Sequence, residues 1–173
     1  VEVKLGWSVG AAEVAQEEQE YAQQLESAAS ALLEANPPAG ESYTVEELAA
    51  IVREASGGPD YHGTPLALGA LSGEPAADFG LLVAMEYLCR QCAIEVEPVS
   101  GSTGLWLIVA TPEGYRHLLP DSMYALEEPI PFRLYTDGEL LELGHQWNTE
   151  FYPPCTEAGV ETLMNEGLEA GPI

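Results

Sequence analysis

Three cysteines and three histidines are the side chains best suited to chemistry in this 173-residue chain: Cys89, Cys92 and Cys155, with His62, His117 and His145. Cys89-Arg90-Gln91-Cys92 has the spacing of redox and metal-binding pairs. A redox pair needs a thiol at a helix N-terminus, where the helix dipole favours thiolate. This pair falls at the end of a helical pattern, so it reads as two unreactive thiols of a core. A zinc site needs four well-placed ligands, and these cysteines and histidines would supply them only by coincidence, so no metal or cofactor is expected. Cys155 follows Pro153-Pro154 and is expected in a loop, as the first thiol to react unless it is bridged. His117 could serve as a base toward Ser102 or Ser122; the plainer reading is a surface or half-buried strand histidine. Glu127-Glu128 are adjacent and point apart on an extended segment, which makes them a poor acid–base pair. The chain has no Gly-x-Ser-x-Gly elbow, phosphate loop or dinucleotide fingerprint.

The charge excludes whole classes of partner. Five basic residues face 29 acidic ones, a net charge of −24. Nucleic-acid binding needs a cationic stripe that replaces phosphate counterions, and none exists here. The same sign argues against anionic lipid surfaces. No apolar run approaches the roughly 20 residues that span a bilayer. A hydrophobic fraction of 46% is that of a folded globular chain. The chain opens on Val1 rather than Met, as expected of a processed or excised form with any signal peptide or anchor removed.

The elements that must position these side chains follow from periodicity. Val14, Tyr21, Leu25, Ala28 and Leu32 form one stripe of a helix over 11–35, which Asn36-Pro37-Pro38 stops. Thr44-Val45-Glu46-Glu47 is a capping box, with Tyr43 and Leu48 as its staple, and Gly57-Gly58-Pro59 ends that helix. Residues 76–92 are so uniformly apolar that their helix must be buried on most sides. Strands are expected at 93–99, 105–110 and 115–119, with Thr111-Pro112-Glu113-Gly114 as a turn between the last two. A further strand is expected at 130–135, and short helices near 138–143 and 156–166. Helices followed by an antiparallel meander define an α+β fold.

Residues 66–121, LALGALSGEPAADFGLLVAMEYLCRQCAIEVEPVSGSTGLWLIVATPEGYRHLLPD, resemble the transglutaminase-like, papain-type core of many exported bacterial proteins. Ala93-Ile94 stands for a Gly-Ile of that family, Val99-Ser100-Gly101 for its Val-x-Gly, and Gly104-Leu105-Trp106 for its His-x-Trp. Tyr115-Arg116-His117-Leu118-Leu119 stands for the strand that ends in Asp. Tyr135-Thr136-Asp137, Trp147 and Tyr152-Pro153 fall in the order of its closing segment. The resemblance covers roughly residues 44–155. It implies a central buried helix packed on an antiparallel β-sheet over 41–173, with residues 1–40 as an N-terminal helix and linker.

The departures from the family determine what the resemblance implies for function. Its nucleophilic Cys falls on Ala77, its His on Gly104 and its Asp on Leu119. All three roles of a thiolate, a base and an orienting group are missing. The chain is therefore expected to be non-catalytic, a binding or structural module of an exported protein of a Gram-positive-like bacterium, extracellular or in the cell envelope. A surviving cleft is expected near Asp78, Trp106 and His117, open to a peptide or cell-wall polymer, with Trp106 as one wall. The rival expectation is a hydrolase of another class that uses His117 with an unrecognised nucleophile.

Overall fold

The computed structural model describes residues 11–57, 59–123 and 132–156. The pair Glu127-Glu128, the helix expected near 156–166 beyond Thr156, and the first two residues of the strand expected at 130–135 lie outside them. The order of elements is α1 (Ala11–Ala35), α2 (Val45–Ala55), β1 (Pro59–Thr64), α3 (Ala67–Leu71), α4 (Asp78–Gln91), β2 (Val96–Gly101), β3 (Gly104–Thr111), β4 (Gly114–Leu118) and α5 (Asp137–Glu142). The α+β class stands. No described helix is long and apolar enough to cross a membrane.

The capping box starts α2 as the sequence requires. The Thr44 hydroxyl accepts from Glu47 N at 3.2 Å, and the Glu47 carboxylate accepts from Thr44 N at 2.8 Å. The half-buried Glu47 carboxyl is held below the usual range by backbone hydrogen bonds from Ala39 and Thr44 and a side-chain bond from Thr44. A second capping box, Thr136 with Glu139, starts α5. Its Thr-x-x-Glu spacing carries the same signal, and the sequence reading passed over it.

Strands β2, β3 and β4 make an antiparallel sheet in chain order. Val99 pairs with Trp106 in the first hairpin, and Ile108 with His117 in the second. Side chains alternate across a strand, so β3 divides its apolar run between two cores. Leu107 and Val109 join Leu118, Leu48, Met85 and Leu88 beneath the helices. Trp106 and Ile108 face the other way, against Val99, Leu140 and Cys155. The second layer is residues 132–156, which cross back over the sheet. The strand expected at 130–135 is, within its described residues, one antiparallel bridge between Tyr135 and His117.

Helix α4 is the central element expected, with Leu81, Leu82, Ala84, Met85, Leu88 and Cys89 buried. Helix α1, which lies outside the stretch that carries the resemblance, contributes Leu25 and Ala29 to the same core. Neither β1 nor α3 was read as an element, since their residues show no clear period. Gly63 and Gly80 let β1 press against the entry to α4: a Cβ on Gly63 would collide with the Pro75 carbonyl, and one on Gly80 with the Thr64 carbonyl. Thr64 N donates to Pro75 O at 2.8 Å, and Ala77 N to Thr64 O at 3.2 Å. These bonds fix where α4 begins.

Candidate functional site

A cleft of about 430 Å³ opens where three elements end. Asp78, Phe79 and Leu82 come from the start of α4, Thr103 from the β2–β3 turn, Gly104 and Leu105 from the start of β3, and Leu119, Pro120 and Asp121 from the segment after β4. His145 closes it from beyond α5. Ala77 is the N-cap of α4, one residue before Asp78, and is half-buried. Two of the three positions that the resemblance assigned to a triad thus line this cleft, and the third caps the helix beside it. Its polar groups are the Asp78 and Asp121 carboxylates, the Thr103 hydroxyl and the His145 ring. Among the described residues no lysine or arginine lines it.

Gly104 has φ +132°, a conformation that favours glycine, and a Cβ there would meet nothing within 4 Å. Backbone geometry, rather than crowding, keeps side chains away from this position.

Trp106 and His117 do not line the cleft, contrary to expectation. Trp106 is 2% exposed and His117 fully buried, on the sheet face away from α4. Residues 132–156, which cover that face, are remote in sequence, so no local pattern shows it to be buried. The indole N–H of Trp106 donates to His117 Nδ1 at 3.0 Å, and His117 Nε2 lies 2.8 Å from Asp137 Oδ1. An indole only donates. Nδ1 is therefore the accepting nitrogen, and Nε2 carries the proton that it gives to Asp137. Burial, the dominant cause, lowers the His117 pKa; hydrogen bonding and attraction from Asp137 oppose it, and His145 adds to the lowering. The result is a neutral imidazole with no free lone pair, unable to act as a general base. Ser102 and Ser122 are committed too: the Ser102 hydroxyl accepts from Gln146 N at 3.0 Å, and that of Ser122 donates to Arg133 O at 2.8 Å.

Asp137 also accepts from Cys155 N at 3.0 Å, and its own N–H donates to Cys155 O at 2.8 Å. His117, Asp137 and Cys155 offer ligand atoms that all lie within 4.8 Å of one another, a set whose types suit zinc. The Trp106 bond argues against such a site, because it places the imidazole proton on the nitrogen that faces the set. Burial first, then the Asp137 charge, pushes the Cys155 thiol up to about 12, which disfavours the thiolate that metal or nucleophilic chemistry needs. Cys155 is buried rather than exposed in a loop, and it is a free thiol. Burial likewise pushes the Cys89 thiol up to about 12, with smaller effects of Cys92 and Glu86. Cys92 is half-buried, and its pKa is raised by desolvation.

The histidine that lines the cleft is His145, which the sequence offers only as a coincidental zinc ligand. Its Nδ1 is hydrogen-bonded to the Thr103 hydroxyl. Beside that contact Ser102 N donates to Gln146 O at 2.8 Å. Together these bonds strap the β2–β3 turn to the segment after α5. A polar turn facing a His-Gln pair 42 to 44 residues later gives no local signal. No protein-family model, curated protein or solved structure matches this chain.

Proposed function

We propose that this chain is a non-catalytic, transglutaminase-like module of an exported bacterial protein, whose cleft beside Ala77, Gly104 and Leu119 receives an extended basic peptide or a cationic stretch of a cell-wall polymer. The observation that carries the proposal is the composition of the cleft. It lies where α4, the β2–β3 turn and the end of β4 meet, yet its triad positions offer a methyl group, no side chain and an isobutyl group. The groups present include apolar walls, Leu82, Leu105 and Leu119, with the Asp78 and Asp121 carboxylates, the Thr103 hydroxyl and the His145 ring. Asp78 and Asp121 are exposed at the cleft, and carboxylates there attract a cationic ligand without reacting with it. The exported, bacterial setting rests on the sequence resemblance alone.

Titration with lysine-rich peptides and muropeptides, followed by amide chemical shifts, tests it. Shifts at Thr103, Gly104 and Asp121 that weaken as salt rises are expected. No residue-specific change there up to about millimolar ligand would end the proposal.

The hydrogen bond between Thr103 and His145 favours a second reading, a hydrolase with that hydroxyl as nucleophile and that ring as base. It moves the hydrolytic histidine from His117 to the cleft. Turnover of activated esters that is lost in Thr103→Val and in His145→Gln would establish it.

A further inference from the structure

A second surface lies on the other side of Phe79. Half of α4 is buried, and Phe79, Val83, Glu86, Tyr87 and Arg90 come out along one stripe at helical spacing. Phe79 is 49% exposed. Leu66, the N-cap of α3, is 54% exposed beside it. With Tyr21 and Leu25 of α1 these side chains enclose an apolar groove of about 330 Å³ bounded by three helices. In a chain with 29 carboxylates such a neutral floor is unusual. The two charged residues that line the groove, Glu86 and Arg90, neutralise each other at 2.9 Å.

The rim is acidic. Glu17 and Glu18 lie one helical turn before Tyr21 on α1, and both are exposed. Exposed Glu26 acts electrostatically on Tyr87, after desolvation the second cause of its raised pKa. An exposed apolar groove marks a partner surface, and its charges limit which partner fits. A second copy would bring a net −24 against −24.

We infer that the α1–α3–α4 groove docks an amphipathic helical segment of another protein, with leucine-like anchors on its inner face and lysine or arginine flanking them. The anchors fill the space beside Leu66, Val83 and Tyr87, and the cationic flanks meet Glu17, Glu18 and Glu26. This site goes beyond the cleft and does not depend on what the cleft binds.

The test uses the whole chain and three helix-forming peptides of about 15 residues: a Lys/Leu amphipathic peptide, a Lys/Ser peptide of equal charge, and a Glu/Leu peptide of the same pattern. The Lys/Leu peptide is expected to bind and to shift resonances of Leu66, Val83 and Tyr87. Leu66→Ser, a change at an exposed position that leaves the fold intact, should weaken that binding about tenfold or more while leaving muropeptide shifts in the cleft unaltered. Equal binding of the Lys/Ser peptide would overturn the inference, since charge alone would explain it. So would shifts confined to Thr103, Gly104 and Asp121, an outcome under which the cleft proposal survives and this one falls. A concentration-dependent dimer abolished by Leu66→Ser would make the occupant a second copy. Groove shifts produced by deleting residues 1–10, with no peptide present, would make it the chain's own N-terminal segment. Either result would overturn it.

Discussion

The indole N–H of Trp106 donates to Nδ1 of His117 across 3.0 Å. That bond sets the tautomer of the buried ring and leaves it nothing with which to accept a further proton. A protonated ring would set two N–H groups against each other at that contact. Burial acts in the same direction, and Asp137 offsets it only in part.

Stability should therefore depend on pH through His117. The unfolded chain takes up a proton near the ordinary value of 6.5, whereas the folded chain resists it to lower pH. Below that ordinary value the unfolded state binds more protons, so stability falls as pH falls from there toward the lowered native value. Urea unfolding at several pH values between about 7.5 and 5.5 should show this slope in the native chain and a shallower one in His117→Asn. The capping carboxylates Glu47 and Glu139, held low chiefly by backbone hydrogen bonds, add their loss only at more acid pH. Equal slopes in the two proteins would show that other groups carry the dependence.

Packing around Trp106 should be sensitive on both sides. A methyl group on Gly101 would overlap the indole ring and lie 2.6 Å from the Gln146 carbonyl oxygen. Gly101→Ala is expected to cost about 1–3 kcal/mol through overpacking. Trp106→Phe keeps most of the apolar volume but leaves buried Nδ1 without its donor, at about 1–3 kcal/mol. Chemical denaturation midpoints measure both. A neutral Trp106→Phe would show that the indole bond contributes nothing net.

Cys92 should label before the other thiols. Cys89 and Cys155 are buried, with pKa values pushed up to about 12, and Cys92 is half-buried at the end of α4. Alkylation of the native protein followed by peptide mapping should find Cys92 modified first, and the other two only as the chain opens. Early modification of Cys155 would contradict the packing of residues 132–156 over the sheet.

Two glycines with open surroundings should respond in opposite directions. A Cβ on Gly104 or on Gly138 would meet nothing within 4 Å, but only Gly104 has positive φ, at +132°. Gly104→Ala is expected to destabilise by about 1 kcal/mol or more from strain, and Gly138→Ala, within α5, to stabilise by about 0.5–1 kcal/mol through helix propensity. Thermal midpoints decide it; a neutral Gly104→Ala would show that the turn relaxes.

Local interactions made much of this protein legible from its sequence. Apolar period and a proline stop marked α1, a nearly uniform apolar stretch marked α4, the Thr44–Glu47 capping box marked the start of α2, and an apolar run followed by Thr111–Gly114 as a turn marked the β3–β4 hairpin. Each is set by residues within a few positions of one another, so the signal survives without the fold. The types of the cleft residues, and the absence of a nucleophile at Ala77, were equally open to reading. What only the tertiary structure decided is which face each side chain occupies. Residues 105–110 are an apolar run, Leu-Trp-Leu-Ile-Val-Ala, because both faces of β3 are covered. With both faces covered, hydrophobicity cannot say which one α4 packs against. Register places Trp106 and His117 on the far face, and residues 132–156 return to bury them. Asp137 reaches His117 from 20 positions away, and His145 reaches Thr103 from 42. Contacts at such separations depend on how the layers stack, which no local pattern records.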